Sequence, residues 1–329
     1  MPTFDHIFVL DWSARSTPSP ARPTADAVWL AELDATRATA ADAGYFRTRA
    51  AGWAALTRRL IELVDAGRRV LVGVDFALGY PAGFAAAAGL GPGDTADAGA
   101  SPSPAWRAVW NHLEAAIHDG TDNANNRVDV ATNLNRRVAG TTGGPHDGPF
   151  WGRPGSKVMP WLSPGRPPGL AADRATPTGL PRRRIVEQRV PRAQEVWKLY
   201  GIGSVGSQTL LGIARCAALR HHPALRGAVR AWPFETGWDA RLFHDQGVTR
   251  GGVVLAEVYP SLVNDAAAAL LAERPGVAIK DQAQTIALAE HLAAAQRSDT
   301  LGVWLAGPSD LSAETRARCE TEEGWILGV

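Results

Sequence analysis

Two short apolar runs, each ending in an aspartate, constrain this chain more than any other feature. Arg69-Val70-Leu71-Val72-Gly73-Val74 leads into Asp75-Phe76-Ala77-Leu78-Gly79-Tyr80-Pro81. A run this short and rich in valine is the pattern of a strand buried on both sheet faces, with helices covering each side. Asp75 then stands at the carboxyl end of its strand, where open α/β sheets carry their chemistry. His6-Ile7-Phe8-Val9-Leu10-Asp11 repeats the pattern. A lone aspartate at such a place is commonly a cap for the next helix. The repetition is what points to a site.

Around these runs the spacing predicts strands over 27–33 and 44–48. A helix is expected over 50–66, where Trp53, Leu56, Leu60 and Leu63 recur at helical intervals and Gly67 ends the pattern. Helices follow over 106–118, 128–138 and 207–220, with strands over 227–234 and 252–258. A last long helix runs from Lys280 to about residue 296, and 301–305 reads as a final strand. Pro308 opens a short helix carrying Cys319, and the tail 322–329 is apolar enough to pack. The whole is an α/β fold with a mixed sheet.

Composition narrows the class. Hydrophobic residues make up 45% and charged residues 20%, as in an ordinary globular enzyme. A net charge of +1 gives no global attraction to nucleic acid or membrane. The two cysteines, Cys216 and Cys319, are too few for a disulfide framework or a cysteine zinc site. Met-Pro-Thr-Phe-Asp lacks the basic and apolar stretches of a secretion signal, and no apolar run reaches membrane-spanning length. A cytoplasmic location without membrane partners is expected.

The middle of the chain differs in texture. Residues 143–192 are crowded with Gly, Pro and Arg and show little periodicity. So long a segment without clear elements marks a lid or an ordered irregular insertion. We expect a core from 1–80 and 195–329, with 81–194 inserted as a cap or lid over the carboxyl ends of the strands. That cap brings the basic stretch Arg182-Arg183-Arg184, Arg189 and Arg192 near the site. Gly201-Ile202-Gly203-Ser204-Val205-Gly206 matches G-x-G-x-x-G in form, but no clean strand precedes it and no acidic residue follows at the ribose position. A helix start offering N–H groups to a phosphate, or simple close packing, are the two readings left open.

Four carboxylates stand out. Asp11, Asp75 and Glu257 end apolar strands, and Asp281 lies in the first turn of the last long helix. Clustered carboxylates do not all stay ionised unless a cation neutralises them, and hard oxygen ligands select Mg²⁺ or Mn²⁺. All four are candidate catalytic and metal-ligating residues. Candidate substrate-binding residues are Arg15 in the loop after Asp11, Gly203, Ser204, Ser207 and Gln208 at the glycine-rich helix start, and Lys280 beside Asp281. Histidine offers no rival site, since His112 and His118 lie six apart on a helix and off one face.

Three strands, a helix and a strand ending in aspartate, followed later by a strand and a helix, resemble the order of the ribonuclease H-like fold. Asp11, Asp75 and Asp281 fall where that fold carries aspartates. Val-Gly-Val-Asp-Phe-Ala-Leu-Gly-Tyr-Pro (72–81), Glu-Val-Tyr-Pro-Ser (257–261) and Lys-Asp-Gln-Ala-Gln-Thr (280–285) are similar to the family called domain of unknown function 429. Residues 203–212 and Trp-Pro-Phe-Glu-Thr (232–236) also look like parts of its pattern. The resemblance implies a ribonuclease H-like nuclease. Its first-helix carboxylate has only Glu62 as a counterpart here, late in the helix, so Glu257 would take that place.

The expected function is therefore metal-dependent cleavage of phosphodiester bonds, in nucleic acid or a small phosphate compound. A phosphotransferase of the sugar-kinase and actin type is the alternative. That type needs a glycine-rich hairpin after the first-strand aspartate, and Trp12-Ser13-Ala14-Arg15-Ser16-Thr17 is poor in glycine. A binding protein that keeps the fold without the chemistry is the third reading.

Overall fold

The computed structural model describes residues 4–37, 40–91, 103–141, 143–144, 146–153, 158–167, 170, 179–190, 193–201, 203–239 and 251–329. At its centre is a six-stranded mixed sheet: β1 (His6–Asp11), β2 (Val28–Asp34), β3 (Asp42–Phe46), β4 (Arg69–Val74), β5 (Val229–Ala231) and β6 (Gly252–Glu257). Their spatial order is β3-β2-β1-β4-β6-β5. The first three strands form an antiparallel meander, whereas β4 pairs parallel to β1, β6 to β4, and β5 to β6.

Alternation along each strand divides the interior into two cores. In β1, Phe8 and Leu10 join one core while Ile7 and Val9 join the other. Val70, Leu71, Val72 and Val74 of β4 are all fully buried, so neither face of this strand meets water. Each such side chain stabilises the fold by about 1.5–3 kcal/mol relative to exposure.

One face is covered by α1 (Arg49–Asp65), whose start is capped by Thr48 Oγ1 accepting from Ala51 N at 3.2 Å. Trp53, Leu56, Leu60 and Leu63 are its buried stripe, as the spacing predicts. The same core includes α3 (Ala105–Ala116), α4 (Arg127–Ala139) and α6 (Gly206–His221), through Trp110, Leu113, Leu134 and Leu211. Two short helices, α2 (Phe84–Ala87) and α5 (Ile185–Arg189), punctuate the irregular insertion between β4 and α6. Insertion residues Phe84, Trp106 and Phe150 share this core with Phe8 and Val72 of the sheet.

The other face is covered by α8 (Lys280–Arg297), with Ile286, Leu288 and Leu292 buried. Beside it lies α7 (Asn264–Glu273), after a 3₁₀ turn over Pro260–Val263. Only Ala267 of α7 is buried, so this helix lacks the apolar stripe by which a helix is read from sequence.

Two expectations are corrected. Residues 301–305 are not a strand but lie within α9 (Thr300–Leu305). Leu301 and Leu305 are buried one helical turn apart, while Val303 between them is 66% exposed. The strand expected over 227–234 pairs only over Val229–Ala231, because Trp232-Pro233 follows and proline brings no N–H to a ladder. After α10 (Ala313–Arg318), a single π turn over Cys319–Glu323 leads into the tail. Leu327 N donates to Glu257 O at 2.9 Å, so the tail does pack, against the end of β6. Cys216 and Cys319 are free and buried. No helix among the described residues is long and apolar enough to cross a membrane.

Candidate active site

Parallel pairing of β1 with β4 sets Leu10 beside Val74, and Asp75 N extends the ladder by donating to Leu10 O at 3.2 Å. Asp11 and Asp75 therefore emerge side by side from the carboxyl ends of adjacent strands. Their carboxyl groups are in hydrogen-bonding contact. Trp12 N donates to Asp75 Oδ1 at 2.9 Å. Asp281 joins from the first turn of α8, its Oδ2 accepting from Asp26 N at 2.7 Å. The loop after β1 completes the ring, because Ser13 Oγ donates to Asp26 O at 2.7 Å.

The electrostatics are those of crowded acids. Burial first, and then the charges of Asp75 and Asp281, hold the Asp11 carboxyl well above its usual range. Burial pushes Asp75 up to about 7, with the Asp281 charge adding to it and the Trp12 N–H opposing. Asp281 is raised as well, by burial, with the Asp26 N–H and Lys280 pulling the other way and the Asp26 charge adding to it. Ionising either Asp11 or Asp75 makes ionising the other less favourable.

Two side chains pin this loop from below. Arg49, fully buried, donates through Nη1 to Ser13 O (3.0 Å) and Arg15 O (2.6 Å), and its charge is met by Asp119. Arg215 binds the same Asp119 at 3.0 Å. From α6, Gln208 Nε2 donates to Trp12 O. Sequence reasoning singles out Gln208 but misses Arg49 and Asp119. The two lie 70 positions apart, and neither belongs to a pattern that marks it.

Glu257, expected as a fourth metal ligand, is engaged by an arginine. Both of its oxygens are taken by the buried Arg184, Nη2 to Oε1 at 2.6 Å and Nη1 to Oε2 at 2.7 Å. Leu78 N adds a contact to Oε2 at 3.3 Å. The basic stretch behaves as a set of structural counter-ions: Arg182 pairs with Glu195, Arg184 with Glu187 and Glu257, and Arg189 with Asp310. Among the described residues none of these arginines bonds to Asp11, Asp75 or Asp281, and Arg192 lies outside the described residues.

The remaining candidates are spread around the rim. Arg15 and Lys280 are exposed, with no side-chain partner among the described residues. Gly203 takes a left-handed φ of +72°, with the Gln194 side chain against it, and Ser204 N closes a turn onto Gly201 O at 3.1 Å. Ser207 Oγ donates to Leu199 O (2.7 Å) and accepts from Arg127 Nε (2.9 Å). Among the described residues no strand leads into α6, and no side chain caps its start. Ile202 of the glycine-rich stretch lies outside the described residues.

The donor set suits a hard cation, since two contacting carboxylates with raised pKa values are acids that a divalent ion would relieve of their proton. Among the described residues no three His, Cys, Asp or Glu side chains already stand in ligand geometry. The fit thus rests on the Asp11–Asp75 pair, with Asp281 acting through its field. No protein-family model, curated protein or solved structure matches this chain.

Proposed function

We propose that this chain is a metal-dependent hydrolase of phosphodiester bonds on a ribonuclease H-like core, of the kind its resemblance to the domain of unknown function 429 implies. The observation that carries the reading is the contact between Asp11 and Asp75 at the ends of adjacent parallel strands, with Asp281 adding its charge. The antiparallel β1–β3 meander, with β4 parallel to β1, supports the core assignment.

In this reading the deprotonated Asp11 and Asp75 would hold Mg²⁺ or Mn²⁺ through their carboxylate oxygens. When bound, the ion supplies Lewis-acid activation of a water and of a phosphoryl oxygen. Trp12 N–H fixes one Asp75 oxygen, and Gln208 fixes the Trp12 carbonyl behind it. Asp281, oriented by the Asp26 N–H, would add its charge to the site and order solvent there. No side-chain nucleophile is needed.

The experiment is a pair of melting curves, with and without Mn²⁺, for the wild type and Asp75→Asn, alongside Mg²⁺-dependent cleavage of labelled DNA and RNA and ATP turnover. Wild type is expected to gain stability with the ion by mass action, and Asp75→Asn to lose that gain together with cleavage. Absence of a Mn²⁺ shift in both proteins overturns the metal reading.

A further inference from the structure

Arg127, at the start of α4, is held among neutral oxygens. Its Nε donates to Ser207 Oγ (2.9 Å), and its Nη1 donates to Ser16 Oγ (3.0 Å) and Asn125 Oδ1 (2.7 Å). Among the described residues no carboxylate pairs with it, and Nη2 has no protein partner. Four other inward-facing arginines each meet a carboxylate: Arg49 and Arg215 meet Asp119, Arg184 meets Glu187 and Glu257, and Arg220 meets Glu235. Burial, with the Arg49 charge adding to it and the Asp119 charge opposing, pushes the Arg127 guanidinium down to about 10. A cation partly removed from water without a directly paired counter-ion is unfavourable, and an anion relieves it. With Nε and Nη1 committed to protein oxygens, the charge-assisted N–H groups of Nη2 are left to meet the oxygens of an anion such as phosphate.

Its position ties it to the aspartates. Ser207 lies in the first turn of α6, and the next residue, Gln208, holds the carbonyl of Trp12, which directly follows Asp11. Ser16 lies on the same post-β1 loop, whose backbone Arg49 pins at Ser13 and Arg15.

We propose that Arg127, held in place by Ser207 and flanked by Ser16, forms a subsite for a second phosphate of the substrate, distinct from the one that is cleaved. The substrate class is then a compound with at least two phosphates, supplied either by an oligonucleotide or by a small bis-phosphorylated molecule. Naming this phosphate as part of a substrate rests on the hydrolase reading, whereas the anion site does not.

The test uses the metal-free full chain titrated with inorganic phosphate, with chloride at equal ionic strength as reference. Wild type and Asp75→Asn are expected to bind phosphate alike. Arg127→Gln is expected to bind about tenfold more weakly or worse, which corresponds to about 1.4 kcal/mol. Arg127→Lys, which keeps the charge but not the bonds that position the guanidinium, is expected to fall between. A folded Arg127→Gln that binds phosphate like the wild type, or a wild type that binds none, overturns the subsite. A second measurement needs no variant: phosphate is expected to protect Arg127 of the wild type from an arginine-specific dicarbonyl reagent, read by peptide mass, and no protection overturns the proposal. Protection by a non-hydrolysable phosphorothioate oligonucleotide or by a bis-phosphorylated sugar identifies the source, and protection by neither overturns it. These readouts involve neither metal nor turnover, so their failure leaves the Mn²⁺ result standing, and the reverse also holds.

Discussion

Arg184 binds both carboxylate oxygens of Glu257 across 73 positions of the chain, at 2.6 and 2.7 Å, with both side chains buried. Glu187 takes the guanidinium Nε at 2.7 Å, and the main-chain oxygen of Glu323 takes Nη1 at 3.0 Å. This network fastens the insertion to the end of β6. Removing one partner of a buried pair strands the other charge, at a cost of about 3–5 kcal/mol. Arg184→Met is expected to lower the unfolding free energy in urea by that order, and Arg184→Met/Glu257→Leu by clearly less. Equal losses in the single and double variants would show that packing, rather than charge, sets the cost.

The aspartate pair predicts a pH dependence. Between the ordinary carboxyl value of 3.8 and about 7, the folded chain keeps a proton at Asp75 that the unfolded chain releases. The folded state binds more protons in that window, so this stabilisation is present below the lower value and is lost as pH rises through the upper one. Asp75→Asn removes the titration. Its advantage in metal-free melting temperature over wild type is expected to grow from about pH 4 to about pH 7 and level off above that. A constant difference across this range would refute the crowded-acid account.

Gly79 is needed for close approach. A Cβ there would meet the main-chain oxygens of Glu322 and Glu323 at 2.5 Å. Both residues belong to the π turn that also presents Glu323 to Ile185 N (2.6 Å) and Ala82 N (3.0 Å). Gly79→Ala is expected to cost at least the roughly 1–3 kcal/mol of core overpacking, because backbone must move. Thermal unfolding measures it, and an unchanged midpoint would contradict the packing described.

The loop after Asp11 depends on a charge beneath it. Asp119 neutralises the buried Arg49, which in turn holds Ser13 O and Arg15 O. Asp119→Asn is expected to destabilise the chain by about 3–5 kcal/mol, the usual effect of an uncompensated buried charge. Amide exchange over residues 13–17 should rise in the same variant at temperatures where the chain remains folded. Exchange unchanged from wild type would show that the loop is held by something else.

The strands of the core and their terminal aspartates are legible in the chain because their causes are local. A valine-rich run buried on both faces reads the same in isolation as in the sheet, and Asp11, Asp75 and Asp281 follow directly from the ends of such elements. The helix Asn264–Glu273 is harder to see, since its single buried residue leaves no periodic stripe. The run Leu301 to Leu305 misleads for the opposite reason, being apolar enough for a strand while its burial follows a helical turn.

Glu257 shows where local reading stops. Its strand ends in a carboxylate just as the Asp75 stretch does, and nothing in either run tells them apart. What separates them is the neighbour each meets after folding. Asp75 faces another acid on the adjacent strand, whereas Glu257 faces an arginine carried in by the insertion. Arg49 with Asp119, and Arg127 with Ser207, are likewise joined over 70 and 80 positions. Strand and helix patterns are set by neighbours in sequence, but the charge state and role of a side chain are set by neighbours in space, which here come from distant segments closing over the same strand ends.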